Sequence, residues 1–293
     1  MPTVGILSTG DMGAAVGREL RAHGAHVLTN LDGRSRRTRD FAAAAGIEDV
    51  GSDTALVDAA DLILSITVPA AAVALADRLA PALAAAATRP VVVDCNAIAP
   101  ATVATVGAIV EAAGARFVDA AIIGPPPSRG AELTRFYASG VDTAAFVGLA
   151  DHGLDVRAMG ARVGDASALK MCYAALTKGS AALIAQLLMA AERLGVGDTL
   201  EAEMAVSQGP ELQRAGGRLT NAIPKAFRWI AEMEEIASTF ASVDLTPKTF
   251  EGAADLYRHI AATELGQVKV EAFAERGLDR RAMVKALAAE PPA

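Results

Sequence analysis

Lys170, Tyr173 and Thr177 stand three and four residues apart in the run from Gly164 to Gly195, GDASALKMCYAALTKGSAALIAQLLMAAERLG. On a helix this spacing puts all three on one face. Leu169 and Met171 flank the lysine, so its ammonium stands on an apolar surface. Desolvation there disfavours the charged form and draws the pKa down toward neutrality, which suits a group that gives and takes protons. The plainer alternative is a lysine that snorkels to water from a core helix. Tyr173, one turn along, is the candidate for a second proton donor or a substrate contact.

A second chemistry-bearing stretch is Ser8-Thr9-Gly10-Asp11-Met12-Gly13. It lies between an apolar run, Thr3–Ser8, and a helix from Met12 to about His23, with a second strand at His26–Asn30. Strand, glycine turn, helix and strand within about 30 residues form a mononucleotide-binding unit. Glycines let the backbone approach a pyrophosphate, and the helix start offers unpaired N–H groups and partial positive charge. Ser8 stands where the usual G-x-G-x-x-G would have its first glycine. A tight turn in some other α/β domain is the competing reading. Gly10, Asp11, Met12 and Gly13 are the cofactor candidates here.

The end of the second strand selects the dinucleotide. An NAD site usually has Asp or Glu there to hold the ribose hydroxyls. This strand ends in Asn30, followed by Leu31-Asp32-Gly33-Arg34-Ser35. Arg34 and Ser35 can grip a 2′-phosphate through a charged fork and a hydroxyl, so NADP is favoured over NAD. Asp32 is the dissenting residue, and NAD stays possible. A solvated entry to the next helix, Thr38–Ala45, is the plain reading of the arginines.

These residues need a scaffold, and the alternation of the chain supplies one. Strand-like runs at Asp61–Val68, Pro90–Cys95 and Ala115–Asp119 alternate with helices at Ala70–Ala86 and from Pro100 to about Gly114. That is an α/β, Rossmann-like, doubly wound sheet, whose ligands sit at the carboxyl ends of the strands. Thr67, Val68, Pro69 and Asn96 are thereby placed to flank the nicotinamide. Asn96 offers a donor and an acceptor for a ribose or substrate oxygen, or serves merely as a helix-entry turn. Ile122–Gly130 carries three consecutive prolines and reads as a stiff pocket wall, with Arg129 as a solvated loop residue that can also reach an anionic group. Arg135–Ser139 and Ala144–Val147 read as short strands closing the domain.

The chain has 293 residues, 52% hydrophobic and 21% charged, which fits two globular domains. A net charge of −7 argues against nucleic acid as a partner. Two cysteines, Cys95 and Cys172, make no disulfide framework, and a reducing cytoplasm is expected. The apolar half of the long run, from Lys178 to Glu192, reads as a helix buried all round and not as a membrane span. No cluster has metal-ligand spacing.

These motifs together resemble the β-hydroxyacid dehydrogenase family, which includes 3-hydroxyisobutyrate dehydrogenases and tartronate semialdehyde reductases and is related to 6-phosphogluconate dehydrogenase. Gly10-Asp11-Met12-Gly13 resembles its G-x-M-G cofactor turn, and Val68-Pro69 its V-P pair. Asp94 to Pro100 resembles its D-x-S-T-x-S-P substrate loop, Asp119 to Gly124 its D-A-P-V-S-G segment, and Gly164 to Lys170 its G-x-x-x-x-x-K. The resemblance implies that Lys170 is the catalytic lysine, that Asn96, Ile123 and Gly124 stand at substrate-contact positions, and that an all-helical C-terminal domain and a homodimer follow. Asn96 and Ile123 replace family serines, and Tyr173 replaces an asparagine. The segment after Lys170 resembles a divergent branch with a distinct C-terminal domain. Imine reductases share the architecture but commonly replace the lysine.

After Gly195 the alternation stops. Helical stretches are expected at Glu201–Val206, Pro210–Leu219, Pro224–Val243, Thr246–Leu265 and Asp279–Ala289, the last ending at Pro291. Trp229, Met233, Ile236 and Phe240 share a face that reads mainly as core, with Trp229 as a candidate substrate contact. Glu232, Glu234 and Glu235 read as a solvated face. The expected organisation is therefore an NADP-binding Rossmann domain over residues 1–163, an inter-domain helix over 164–195, and an all-α substrate and dimerisation domain over 196–293. The expected activity is hydride transfer between NADP and a small hydroxy-acid or carbonyl substrate, with neither nucleic acid nor membrane as partner. The alternatives are an imine reductase using Tyr173 as proton donor, and a non-catalytic NADPH-binding regulator.

Overall fold

The apolar runs of the first half become parallel strands in the computed structural model, which describes residues 1–127 and 134–289. Arg129 and Pro291 lie outside the described residues. In chain order the elements are β1 (Thr3–Leu7), α1 (Asp11–Ala22), β2 (His26–Thr29), α2 (Arg36–Ala45), β3 (Glu48–Asp49), α3 (Asp53–Ala59), β4 (Leu62–Ser65), α4 (Ala72–Ala85), β5 (Val91–Asp94), α5 (Pro100–Ala112), β6 (Arg116–Ile123), β7 (Arg135–Ser139), α6 (Ala144–Val147) and β8 (Asp155–Gly160). The strand order is β3-β2-β1-β4-β5-β6-β7-β8. β7 runs antiparallel to β6, and β8 parallel to β7.

Alternate residues of each strand feed two separate apolar layers, as a sheet covered on both faces requires. Val4, Ile6, Leu62, Leu64, Val91 and Val93 pack with Val16 and Leu20 of α1 and Ala42 of α2. Leu7, Ile63, Val92 and Phe117 pack on the other face with Leu56 of α3, Leu79 of α4 and Val106 of α5. The strand order reverses between β1 and β4, which puts the ligand crevice at their carboxyl ends.

In the first half of the chain three features differ from the sequence expectation. Ala144–Val147 is a helical turn, with Phe146 fully buried edge-on to Phe136. β6 runs four residues past Asp119 because β7 pairs with it as far as Ile123. β3, α3 and β8 are additional elements.

The chain divides into two compact units, Met1–Met171 and Cys172–Ala293, and a single 29-residue helix, α7 (Asp165–Arg193), passes from one into the other. The second unit continues with α8 (Gly197–Ser207), α9 (Gly209–Ala222), α10 (Ala226–Ala241), α11 (Lys248–Ala262), α12 (Val270–Glu275) and α13 (Arg280–Ala289). α10 and α11 pack through Trp229 against Tyr257 at 5.3 Å and Phe240 against Phe250 at 4.6 Å. Glu232 does not belong to a solvated face: it is largely buried and ion-paired with Lys178, whose ammonium also lies over the Trp229 ring. Nor is the half of α7 from Lys178 to Glu192 buried all round, because Leu183 is 64% exposed; Leu176, just before it, is 69% exposed. By length and composition α7 could cross a membrane, yet nearly half of its most apolar stretch is buried inside the protein.

Candidate active site

At the end of β1 the chain turns sharply into α1. Ser8 takes a left-handed conformation, with φ of 72°, at the position where the fingerprint has its first glycine. A serine tolerates this region at a modest cost, so the turn keeps its shape without that glycine. Gly10 is the N-cap of α1 and brings no capping side chain, which leaves the first N–H groups of the helix available. A Cβ on Gly10 would meet nothing within 4 Å, whereas a Cβ on Gly13 would lie 2.4 Å from the Ser8 carbonyl oxygen. Gly13 therefore sets the close approach of helix to turn, and Gly10 leaves open space for a ligand. Asp11 is exposed at the first helical position, and Met12 packs against the core. The turn fits a dinucleotide pyrophosphate.

Beyond β2, Asn30 is buried and committed inward. Its Nδ2 donates to Asp53 Oδ1 at 2.8 Å, and its Oδ1 accepts from the Asp32 backbone N–H at 2.9 Å. It shapes the turn that presents Arg34. Ser35 caps α2, its Oγ accepting from the Thr38 backbone N–H. Arg34 is the unsatisfied residue. Among the described residues its buried Nε has no hydrogen-bond partner. Burial, and then the like charge of Arg78, lower its pKa, with Asp53 opposing them. Arg78 itself is held by Asp53, at 3.1 Å and 3.2 Å. Two guanidinium groups share one carboxylate, so the cluster has the charge to accept an anion such as a 2′-phosphate.

Between β4 and β5, Asn96 is also turned inward. Its Nδ2 donates to Ser65 Oγ at 2.9 Å and to Asp94 Oδ2 at 2.7 Å, and its Oδ1 accepts from the Thr67 backbone N–H at 2.6 Å. The expectation that this amide meets a ribose or substrate oxygen is corrected: its donors are spent on the two strand ends, which it ties together. What it sets out is the turn Thr67-Val68-Pro69, with Thr67 partly exposed, Val68 45% exposed and Pro69 buried as the start of a short 3-10 turn. Asp94 is fully buried beside Asn96. Burial pushes its carboxyl up to about 7; the Asn96 and Ser65 bonds pull it down, and the neighbouring Asp119 carboxylate adds to the rise.

β6 carries the rest of the site. Asp119 is fully buried and lies in register between Asp94 on β5 and Ser139 on β7. Its carboxylate accepts from Ser139 Oγ at 2.9 Å, from the backbone N–H groups of Gly164 at 2.9 Å and Ser167 at 3.0 Å, and from Ser167 Oγ at 2.7 Å. Ser139 Oγ in turn accepts from the Ala166 N–H at 3.1 Å. The start of α7 is therefore bound to β6 and β7 by two buried side chains. Three residues beyond Asp119, the Ile122 carbonyl accepts from Lys170 Nζ at 2.7 Å. Lys170 is partly buried, and desolvation lowers its pKa to about 8. Ile123 is a buried strand end, and Gly124 is exposed with φ of 130°, which favours glycine where the chain leaves β6.

Of the remaining candidates, Tyr173 is 44% exposed one turn after Lys170 on α7. Trp229 is buried within the second unit, edge-on to Tyr257. The residues that sequence reasoning overlooked are Arg78, Ser139 and Ser167. They are ordinary polar residues in sequence and acquire meaning only from long-range partners.

The comparisons with known proteins bear on the family and the fold. The family model of the NAD binding domain of 6-phosphogluconate dehydrogenase matches residues 3–150. A domain of unknown function matches residues 191–260. A solved structure of a conserved protein of unknown function, described as similar to 3-hydroxyacid dehydrogenases, is 30% identical. It covers 90% of this chain and 99% of its own, with a TM-score of 0.64. The 3-hydroxyisobutyrate dehydrogenase of Mycobacterium tuberculosis shares the fold at 20% identity, covering 94% and 99% of the two chains with a TM-score of 0.69. An uncharacterized 28.5 kDa protein of Methanothermus fervidus is 24% identical over 258 residues, 88% of this chain and 98% of its own. The chain carries an NAD(P)-binding Rossmann domain, and it belongs to the family defined by the NAD binding domain of 6-phosphogluconate dehydrogenase.

Proposed function

We propose that this protein is an NADP-dependent oxidoreductase that moves a hydride between the nicotinamide and a small hydroxy-acid or carbonyl substrate, with Lys170 as acid and base. The observation that carries the reading is Lys170 itself. Its Nζ is held 2.7 Å from the Ile122 carbonyl, and desolvation brings its pKa to about 8. A lysine so tuned can hold a proton at neutral pH and still release it. Gly10, Asp11, Met12 and Gly13 would receive the pyrophosphate, Arg34 and Ser35 the 2′-phosphate, and Thr67, Val68 and Pro69 would flank the nicotinamide end. When bound, the cofactor supplies or accepts the hydride. In the reducing direction Lys170 hydrogen-bonds the substrate oxygen and gives it the proton; in the oxidising direction it takes that proton back. Tyr173 serves as an auxiliary donor or substrate contact, and Ile123 and Gly124 would wall the substrate. The anionic group of a hydroxy acid finds no serine at Asn96 or Ile123, so an uncharged or differently anchored carbonyl is also within the class. A cytoplasmic location and a small-molecule partner, with neither nucleic acid nor membrane, go with this reading.

The test has two arms. NADPH and NADH are titrated by fluorescence into the wild type and Arg34→Ala, and the wild type and Lys170→Ala are assayed over a carbonyl and cyclic-imine panel. NADPH should bind more tightly than NADH, and Arg34→Ala should remove about tenfold or more of that preference. Reduction should fall as pH rises through about 8, where Lys170 loses its proton. Lys170→Ala should abolish this activity while NADPH affinity stays within a few fold. Turnover of cyclic imines that survives Lys170→Ala and is lost in Tyr173→Phe would establish the imine reductase instead. Tight NADPH binding with no turnover of any substrate would leave a regulator.

A further inference from the structure

We infer that Asp119 is the positioning residue that sets where Lys170 holds its proton, by anchoring the first turn of α7 to β6. The inference rests on the proposed role of Lys170. Asp119 and Ile122 are three residues apart on one strand, and Ser167 and Lys170 are three residues apart on one helix. Asp119 binds Ser167 through both backbone N–H and hydroxyl, and Ile122 binds Lys170. Strand and helix are thus joined at two points, in the same order. Three strand residues span about 10 Å and three helix residues about 4.5 Å, so the extended lysine stem reaches across the difference. A slip of one residue in helix docking would move Lys170 by about 1.5 Å along the axis and rotate it by about 100°. The anchor prevents this slip.

The anchor is built for that duty and does little else. Asp119, Ser139 and Ser167 are each fully buried. One Asp119 oxygen gathers three donors from β7, the Gly164 turn and α7, and the other takes the Ser167 hydroxyl. A buried carboxylate at the start of a long helix also meets its partial positive charge. Gly164 supports the turn, with φ of 102° and a hypothetical Cβ 3.4 Å from Pro100. The charged or titratable neighbours of this corner include Asp94 on β5, Cys95 directly after it and Asp165 on α7 itself, whereas the shift of Lys170 has burial as its cause. Asp119 therefore acts on the lysine through its placement.

The test reads Lys170 directly, without any substrate. The pH dependence of acetic anhydride labelling at Lys170, followed by mass spectrometry, gives its titration midpoint in full-length protein. In the wild type this midpoint should lie near 8. In Asp119→Ala the helix start loosens, water reaches the ammonium, and the midpoint should move up by a unit or more toward the ordinary lysine value. Turnover should fall by about 100-fold while NADPH affinity stays within a few fold. Asp119→Asn keeps one oxygen for the three donors and should restore both midpoint and most of the turnover. If Asp119→Ala does not fold, the Ser139→Ala/Ser167→Ala double variant removes the hydroxyl donors and should move the midpoint in the same direction. An unchanged midpoint in whichever of these two variants folds overturns the inference, even if Lys170→Ala proves inactive. Full turnover by Lys170→Ala would sink the catalytic reading and leave the labelling result standing on its own.

Discussion

The two buried carboxyls at the end of β5 and in the middle of β6 show how far residue identity falls short of residue behaviour. Asp119 gathers four donors, and Asp94, beside it, is pushed up to about 7. The folded state therefore keeps a proton on Asp94 that the unfolded chain releases near its ordinary value of 3.8. Below about pH 4 both states hold the proton, and the group favours neither. Between about 4 and 7 the folded state binds more protons, so stability declines as pH rises. The loss is complete above about 7 and amounts to at most about 4 kcal/mol. Urea denaturation at pH 5 and pH 8 checks the sign: the wild type should lose more stability across that interval than Asp94→Asn. An equal loss in both proteins would show that Asp94 does not hold the proton. None of this is legible in sequence. Asp94 and Asp119 stand there as strand-end acids, and the partners of Asp119 lie 20, 45 and 48 residues away.

At the scale of elements, the turn from β1 to α1 was readable because its constraints are local. Strand, turn and helix follow one another in chain order, and glycine spacing reports backbone approach directly. Gly13→Ala tests this reading. Its Cβ would stand 2.4 Å from a backbone oxygen, which cannot swing aside as a side chain can. The variant should lose about 1–3 kcal/mol of stability and at least tenfold in NADPH affinity, measured by thermal melts and fluorescence titration. Gly10→Ala, with open space around the position, should fold as well as the wild type and weaken only the cofactor. Elements fixed by distant contacts are not legible in this way. Ala144–Val147 joins two alanines to strand-favouring Phe146 and Val147 in a piece too short to show a period, and burial of Phe146 against Phe136 decides it as a helical turn. β6 reads four residues short in sequence because its extension depends on pairing with β7, not on its own composition. Asn96 reads in sequence as an amide offered to a ligand, whereas in the structure it serves the protein's own turns, as Asn30 does.

At the scale of the whole molecule, the second unit lacked chemical punctuation in sequence, and its helical character was legible only through periodicity. Trp229, Met233 and Ile236 are buried as their spacing predicts, whereas the burial of Glu232 depends on Lys178, 54 residues away. Exposure along α7 carries a prediction of assembly. Leu176 and Leu183 are seven residues apart, stand on one side of the helix and are both mostly exposed. Large apolar side chains left at helical spacing on a long helix suit a self-complementary contact. We propose a homodimer through this stripe. Light scattering of the wild type should give twice the chain mass of 29.9 kDa, and Leu176→Glu/Leu183→Glu should give the monomer. A monomeric wild type would remove the dimer.

The passage of α7 from one unit into the other also limits how such proteins can be recombined. A chimaera that joins this cofactor unit to another helical unit has its crossover inside a continuous helix and not in a linker. Each residue added or deleted at the junction turns everything downstream by about 100° and advances it by about 1.5 Å. Seven residues, close to two whole turns, nearly restore the phase. Gene fusions in this family should therefore tolerate insertions of whole heptads at this junction far better than insertions of one or two residues.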